Sequence, residues 1–361
     1  MYFHTRLLGY ILFATLASSA TAAAGPPEMK QLIERIANGE ADEAAEATDQ
    51  LVELISRQLA DAFGAIEQRP QEQQDRLQAA LARVTAVMRL RLYRAGLLPD
   101  EQQLLDKFIR PRAELAEALF ADSARQRLQA LHQIPLEPDT GAGLLISAKV
   151  NDWDADICAA ALETAANLGD QVVARGLREY VTTITAAVRA DRFGPAQQDY
   201  ELVLADFTRQ AIVILGATRD RESVTTIIEA VQVFSRSHHR RFFRIGSALG
   251  ALGQIGDEQA VPLLLEYLSD RETHEMRSVA PGTLLHQTVG DVALQALGNI
   301  YGITPAELGF FIGPAPEQIA GFVDKNNRAA ALRAFGTWHQ QNATLPRDQR
   351  APLTTQPADE D

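Results

Sequence analysis

Four arginines fall within nine residues at Arg236-Ser237-His238-His239-Arg240-Arg241-Phe242-Phe243-Arg244. In continuous helix, Arg236, Arg240 and Arg244 would share one face, because residues four apart are neighbours. Guanidinium groups recognise carboxylates and phosphates through paired hydrogen bonds. Arg236, Arg240, Arg241 and Arg244 are therefore the candidate binding residues for an anionic partner. Ion pairing with acidic residues of adjacent helices is the alternative use of the same charges. Phe242 and Phe243 are expected in the core. His238, His239, His274 and His286 are the histidines that lie close in sequence. Zinc needs three or four converging ligands. Adjacent helical residues point about 100° apart, so His238 and His239 are poorly placed to share a metal. His274 lies near Glu272 and Glu275 in a loop-like segment, where a composite site is conceivable, although surface or inter-helix histidines explain the same residues. Asp152-Trp153-Asp154-Ala155-Asp156, with Glu163 twelfth from Asp152, has the outline of a calcium loop. Its sixth position is Ile157, where the sharp turn needs Gly. A helix cap by Asp154 or Asp156 accounts for these residues without a metal.

No Gly-x-Ser-x-Gly, no His-Glu-x-x-His and no phosphate-binding glycine loop occurs in the chain. No cofactor signature is present, and no catalytic residue is assigned. Cys158 stands alone in an apolar helical context, so no intramolecular disulfide can form. It reads as a buried small hydrophobe rather than a reactive thiol. Asn342-Ala343-Thr344 is a glycosylation sequon, relevant in a eukaryotic secretory pathway.

The elements that hold these residues follow from composition and pattern. The chain has 361 residues, 46% apolar and only 6% aromatic, with Ala and Leu abundant. Small helix formers in that proportion favour closely packed helices over sheet. Residues 1–24 read as a secretory signal: Arg6 near the start, an apolar run Leu7–Ala17, then Ala20-Thr21-Ala22 and Ala22-Ala23-Ala24 as cleavage sites. An uncleaved anchor is the rival reading, but the run is short of the roughly 20 residues that span a bilayer. Periplasmic or extracellular localisation is expected. The net charge is −13, and becomes −14 without residues 1–24. That balance argues against general binding to nucleic acid or anionic lipid and suits a soluble protein.

Pro27 is placed to open a first helix, and longer helices are expected at about 41–67 and 70–96. Pro111 should break the helix opened at Pro99. Ala113–Phe120 and Ser123–His132 are short helical segments. Ile134–Gly143 holds two prolines and two glycines and reads as a loop or junction. The expected organisation is a signal over 1–24, an N-terminal helical region over 25–140, a repeat region over 141–341 and a disordered tail over 342–361 rich in Pro and acid.

From about 144 the dipeptide Leu-Gly recurs at Leu168-Gly169, Leu215-Gly216, Leu252-Gly253 and Leu297-Gly298, spaced 47, 37 and 45 residues apart. Each is read as closing a helix. Asp170, Asp220 and Asp257 follow in three of them and precede apolar helices. The fourth has Ile303-Thr304-Pro305 instead. Leu332, Phe335 and Trp338 would then cover the open end.

Leu252-Gly253-x-x-Gly256-Asp257-x-x-Ala260-Val261-Pro262-Leu263-Leu264 resembles the HEAT-like repeat of the phycobilisome-lyase type. Asp291–Leu297 followed by Arg328–Trp338 is similar to the closing module of exported bacterial HEAT-like proteins. The resemblance covers about 150–340. It implies an all-α fold, an α-solenoid of antiparallel helix pairs (HEAT-like, armadillo-like) in a right-handed superhelix, with a longer-helix N-terminal part. It also implies a non-catalytic scaffold or adaptor that binds a protein or peptide partner, acidic where the arginines meet it, on a concave surface. An enzyme or metal-binding protein using His274 and Glu275, and a self-associating envelope protein, are the alternatives.

Overall fold

The computed structural model describes residues 86–353 apart from 88, 92, 138–139, 153, 170, 191–197, 238–239, 281–282, 311–320 and 323–324, together with the isolated positions 31 and 50. The expected signal and most of the helices expected before residue 86 lie outside the described residues; the described residues from 86 to 95 are helical, as the helix expected at 70–96 requires. The described residues are all-α with one β-hairpin, and the chain divides into two compact units, the first ending at Lys149 and the second beginning at Val150. Among the described residues no helix is long and apolar enough to cross a membrane.

The first unit contains α1 (Pro99–Ile109), α2 (Ala113–Leu119), α3 (Ala124–His132) and all but the last residue of α4 (Gly141–Val150). Pro99 sits in the first turn of α1, where its missing N–H costs no hydrogen bond. Pro111 lies in the turn that separates α1 from α2. Ser123 caps α3 by accepting from the Gln126 amide. Arg127 is fully buried and donates from Nη1 to the carbonyls of Ala121 (2.9 Å) and Asp122 (2.7 Å), so its charge serves exposed backbone ends of the α2–α3 corner. The loop expected through Gly143 ends early, because Gly141 already begins α4. A Cβ at Gly141 would lie 2.7 Å from the Phe108 Cβ. That glycine permits close helix packing and is not a chain break.

The second unit opens with α5 (Ala155–Leu168), α6 (Ala174–Arg189), α7 (Gln198–Ala217), α8 (Val224–Arg236) and the single turn α9 (Arg240–Phe243). It continues with α10 (Ile245–Ile255), α11 (Val261–Tyr267), strands β1 (Thr273–Ala280) and β2 (Thr283–Thr288), α12 (Val289–Tyr301) and α13 (Lys325–Asn342). One layer packs α5 on α7, α7 on α10 and α10 on α12. Helices α6 and α8 pack side by side in a second layer, and each of α6, α8 and α11 also packs on the first-layer helix of the following pair. Arg178 in α6 bridges to Asp220 (2.5 Å) and Glu222 (2.7 Å) ahead of α8, and Arg189 to Glu229 within it (2.5 Å). The basic residues are 30 Arg against 4 Lys, and the planar guanidinium suits inter-helix pairing of this kind.

The Leu-Gly pairs have a different role from the one read in the sequence. Gly169 does end its helix, with φ +61°. Gly216, Gly253 and Gly298 instead lie inside α7, α10 and α12. A Cβ at Gly216 would stand 2.7 Å from the Ala251 Cα and Cβ, and one at Gly253 2.5 Å from the Ala296 Cα. Each glycine thus faces the alanine two residues before the next repeat's glycine: Ala251 precedes Gly253 and Ala296 precedes Gly298. First-layer helices stack through a Gly-to-Ala contact that recurs in register. Asp257 accepts from the Gln259 amide (2.9 Å) and caps the turn ahead of α11. Asp220 instead binds Arg178 and the Ser223 hydroxyl. Thr304 does the capping work in the fourth unit through reciprocal bonds with Glu307.

The hairpin is the departure from an all-helical reading. β1 and β2 pair antiparallel from Thr273↔Thr288 to Ala280↔Thr283, and His286 adds a single bridge to Phe322. Thr288 and Asp291 form a reciprocal cap on α12, and Arg328 of α13 binds both Asp291 carboxylate oxygens (2.8 and 2.7 Å) and the His286 carbonyl (2.8 Å). Phe335 and Trp338 of α13 are buried against Tyr301, as their spacing predicts for a closing helix.

Residues 343–353, expected in a disordered tail, are held in place. Trp338 Nε1 donates to the Ala351 carbonyl (2.6 Å), the Ala351 amide donates to Asn342 Oδ1 (2.8 Å), and Leu353 is buried. Indole and amide partners hold this proline-containing segment where no helical period exists. Residues 354–361 lie outside the described residues.

Candidate functional site

The four arginines do not share one helical face. α8 ends at Arg236, because Ser237 turns extended (ψ 159°), and α9 is a separate turn starting at Arg240. Arg244 then adopts left-handed backbone, φ 49° and ψ 73°, immediately before α10. The i, i+4 spacing assumed continuous helix, and the chain bends twice across it.

Each described arginine meets different surroundings. Arg240 is half-buried and forks between Asp270 (2.8 Å) and Glu272 (2.9 Å from Nε, 2.7 Å from Nη2). Burial works against its charge, but the two carboxylates outweigh it and hold the guanidinium charged more firmly than usual. Arg240 therefore ties the start of α9 to the segment leading into β1, which is the ion-pair use of the charge. Arg236 and Arg244 are exposed, and neither has an ion-pair partner among the described residues. The side chain of Arg241 lies outside the described set. Phe243 is fully buried and stacks on Phe234 at 4.3 Å between centroids, nearly parallel. Phe242 was expected in the core as well, but stands 40% exposed beside the arginines, because consecutive residues of one turn cannot both face the core.

His274 packs over Gly246, where any Cβ would collide with its ring. Burial holds its pKa below the ordinary histidine value; Glu275 opposes this, while Arg244 and Arg209 reinforce it. The imidazole fills the notch over α10 and is neutral near physiological pH. Among the described residues no group of three or more His, Cys, Asp or Glu is placed to hold a metal ion. The segment that carries His274 is strand, not loop. His286 shares a hydrogen bond with Thr273 (2.8 Å). His238 and His239 lie outside the described residues.

Asp154 accepts from the amides of Asp156 (3.0 Å) and Ile157 (3.3 Å) and caps α5. The outline of a calcium loop is thereby spent on a helix start. Cys158 is buried and donates its thiol to the Val150 carbonyl (3.0 Å). Burial pushes the thiol pKa up to about 12, with Asp152 adding to the rise and a hydrogen bond from Tyr180 opposing it. Asn342 of the sequon is 4% exposed and donates its side-chain amide to the Trp338 carbonyl (2.9 Å), so the nitrogen a glycan needs is already engaged.

Arg219 is a residue that the sequence reading passed over. It is the other described non-glycine residue with positive φ, 54°. Its amide donates to the Gly216 carbonyl, and the Asp220 amide to the Leu215 carbonyl, closing α7. Gly302 closes α12 with the same pair of bonds, and Gly169 and Gly256 end α5 and α10 in the same left-handed region. An arginine standing where sister helices carry glycine was the signal available in the sequence.

Residues 246–270 match the model of the PBS lyase HEAT-like repeat. The match runs from the first turn of α10 through the Asp257 cap to the residue that receives Arg240. Residues 246–270 form a HEAT-like repeat, and its last residue, Asp270, receives Arg240. No curated protein and no solved structure gives a significant match to the chain.

Proposed function

We propose that this HEAT-like repeat protein is an exported, non-catalytic scaffold or adaptor, built as an α-solenoid, that holds a protein or peptide partner of acidic character. The Gly-to-Ala contact repeated from α7 to α10 and from α10 to α12 supports the solenoid, because helix pairs stacked in register bury one continuous core. The observation that carries the binding surface is Arg244. A side-chain-bearing residue in left-handed backbone costs about 1–2 kcal/mol. Such strain is retained where surrounding structure imposes it, and it clusters at functional positions. Here it projects an exposed guanidinium, with exposed Arg236 and Phe242 nearby, from a chain of net charge −13. Arg241 belongs to the same surface by sequence. Arg240, tied to Asp270 and Glu272, positions the turn that presents the others.

The test uses residues 25–361 as bait on envelope and secreted fractions, beside the double variant Arg236→Glu/Arg244→Glu. A partner retained by the wild type, lost with the variant and released as salt screens the charges would support the reading. Partners retained equally by both baits would remove the arginines from the function. Amino-terminal sequencing of the exported product checks the leader: the reading requires a start close to residue 25.

A further inference from the structure

The ends of α7, α10 and α12 open onto a groove of about 850 Å³ in the second unit. It lies at the opposite end of α10 from Arg244, about 16 Å away for a helix of 11 residues. Arg219 and Arg221 line one end, Gln254 and Gly256 the middle, and Asn299 and Thr304 the other end.

The groove has two chemical halves. Three helices finish on it, so its middle and far end are rich in carbonyl oxygens and carry the partial negative charge of helix C-termini. That part suits hydrogen-bond donors. The Arg219–Arg221 end suits carboxylates. The carboxylates already nearby are engaged: Asp220 and Glu222 by Arg178, Glu258 by Arg350, and Glu307 by Thr304. Arg219 and Arg221 are exposed and have no ion-pair partner among the described residues. Arg219, moreover, is held in the left-handed conformation that sister helices assign to glycine. The guanidinium is kept at that corner at a cost to the backbone.

The end of the described chain lies beside this groove. Arg350 binds Glu258, two residues after Gly256, and its guanidinium covers the Tyr301 ring at 4.9 Å, one residue before Gly302. Leu353 follows three residues later. The next residues are Thr354-Thr355-Gln356-Pro357-Ala358-Asp359-Glu360-Asp361. The first acid is six residues beyond Leu353, a reach of about 20 Å for extended chain. Crossing from α12 to α7 takes two helix spacings of about 8–10 Å each. The order along the segment, donors first and acids last, matches the order along the groove. We propose that residues 354–361 occupy this groove, with Asp359, Glu360 and Asp361 on Arg219 and Arg221. The groove is then a self-occupied site for acidic extended segments, which a partner enters only by displacing the chain's own. The inference is independent of the Arg236–Arg244 surface.

Disulfide trapping in the full chain tests it. Ala217→Cys, at the arginine end of the groove, is combined with Ala358→Cys; Gln232→Cys, on the exposed side of α8, is combined with Ala358→Cys as the control. Buried Cys158 takes no part. A docked segment has a far higher effective concentration beside the thiol introduced at position 217 than a free one, so the first pair should close intramolecularly about tenfold faster or more. Adding Arg219→Gly and Arg221→Gln should bring that rate down to the control. Arg219→Gly leaves a turn residue that the sister helices use, so the loss is read in a folded protein, and an unchanged or raised Tm confirms this. About 0.5 M salt should also slow the closure, because the contact is ionic. Equal rates for the two pairs would overturn the proposal. So would fast closure that ignores the arginine substitutions and salt, or closure that excess free peptide of sequence 354–361 fails to slow. Failure of the Arg236→Glu/Arg244→Glu bait experiment would leave these rates unaffected.

Discussion

The stacking of α10 on α12 predicts opposite effects for two alanine substitutions three residues apart on the same helix. At Gly253, a new Cβ would lie 2.5 Å from the Ala296 Cα and 2.6 Å from its Cβ. Carbon atoms rest at about 3.5–4.0 Å, so the two helices must separate by roughly 1 Å or more. The obstruction is backbone and cannot swing aside. At Gly250 the nearest atom to a new Cβ is the Val292 Cγ1 at 3.7 Å, an ordinary contact. Both substitutions remove a helix-interior glycine, which gains about 0.5–1 kcal/mol from backbone entropy and propensity. That gain cancels in the comparison. What remains is the overpacking at Gly253, about 1–3 kcal/mol. Gly250→Ala should therefore raise stability, and Gly253→Ala should fall below it by that margin. For a unit of this size each kcal/mol shifts Tm by about 2–4 °C.

Calorimetry and urea denaturation of the three proteins would check this, with equal m-values required for the comparison. Adding Ala296→Gly to Gly253→Ala should return only part of the loss, because the backbone at position 296 still stands in the way. Equal Tm shifts for Gly250→Ala and Gly253→Ala would refute the Gly-to-Ala stacking and, with it, the in-register repeat. Gly216→Ala, facing Ala251 at 2.7 Å, should behave like Gly253→Ala.

Arg328→Ala would strand Asp291, which is 1% exposed, and should cost about 3–5 kcal/mol in denaturant titration, whereas replacing Arg328 and Asp291 together by Met and Leu should recover much of it. Cys158, with its thiol pushed up to about 12 and buried, should resist a thiol reagent at about pH 8 until the second unit unfolds, so its labelling rate should follow denaturant like a global unfolding probe. His274 and His339 both have pKa values lowered by burial, so the unfolded chain binds more protons than the folded one. Their contribution is fully present above the unfolded value near 6.5 and is lost as pH falls below it. Tm should drop on acidification through that range, and His274→Leu should flatten the drop.

Much of the fold was legible because its spacing is regular. Leu-Gly pairs 37 and 45 residues apart located the helix stack, and Leu332, Phe335 and Trp338 located the closing helix. The role of the glycines was less legible. Gly after Leu fits both a helix stop and a close approach, and only the facing residue separates them. Ala251 and Ala296, each two positions before a glycine, were the available sign. The hairpin was missed because Thr273–Ala280 lacks clean alternation, although Pro281-Gly282 between two runs that each begin with Thr is turn chemistry. The arginine cluster was misdrawn, since a face-sharing rule holds only while the helix lasts, and Ser237 ends it. Arg219 went unnoticed because its oddity is a left-handed φ, visible only when the helix ends are aligned.

The end of the stack limits how this protein can associate. Gly216 and Gly253 each receive an alanine from the next helix, but Gly298 receives Leu308 and the Ile303 carbonyl from its own following turn. The Gly-to-Ala contact that would admit another repeat is closed by local chain. The hairpin between α11 and α12 then bridges to Phe322, and the buried Arg328–Asp291 pair fixes α13 across the same region. Phe335 and Trp338 cover Tyr301, so the apolar surface that could seat a second copy is already buried. End-to-end assembly through this side would require breaking a buried ion pair and exposing three aromatic rings. The edges where helices turn are left open by this packing. The two left-handed arginines, Arg244 ahead of α10 and Arg219 after α7, stand on those edges. Both stand where a glycine would fold more easily, so the backbone cost falls in the corners and the stacked faces are left to stability.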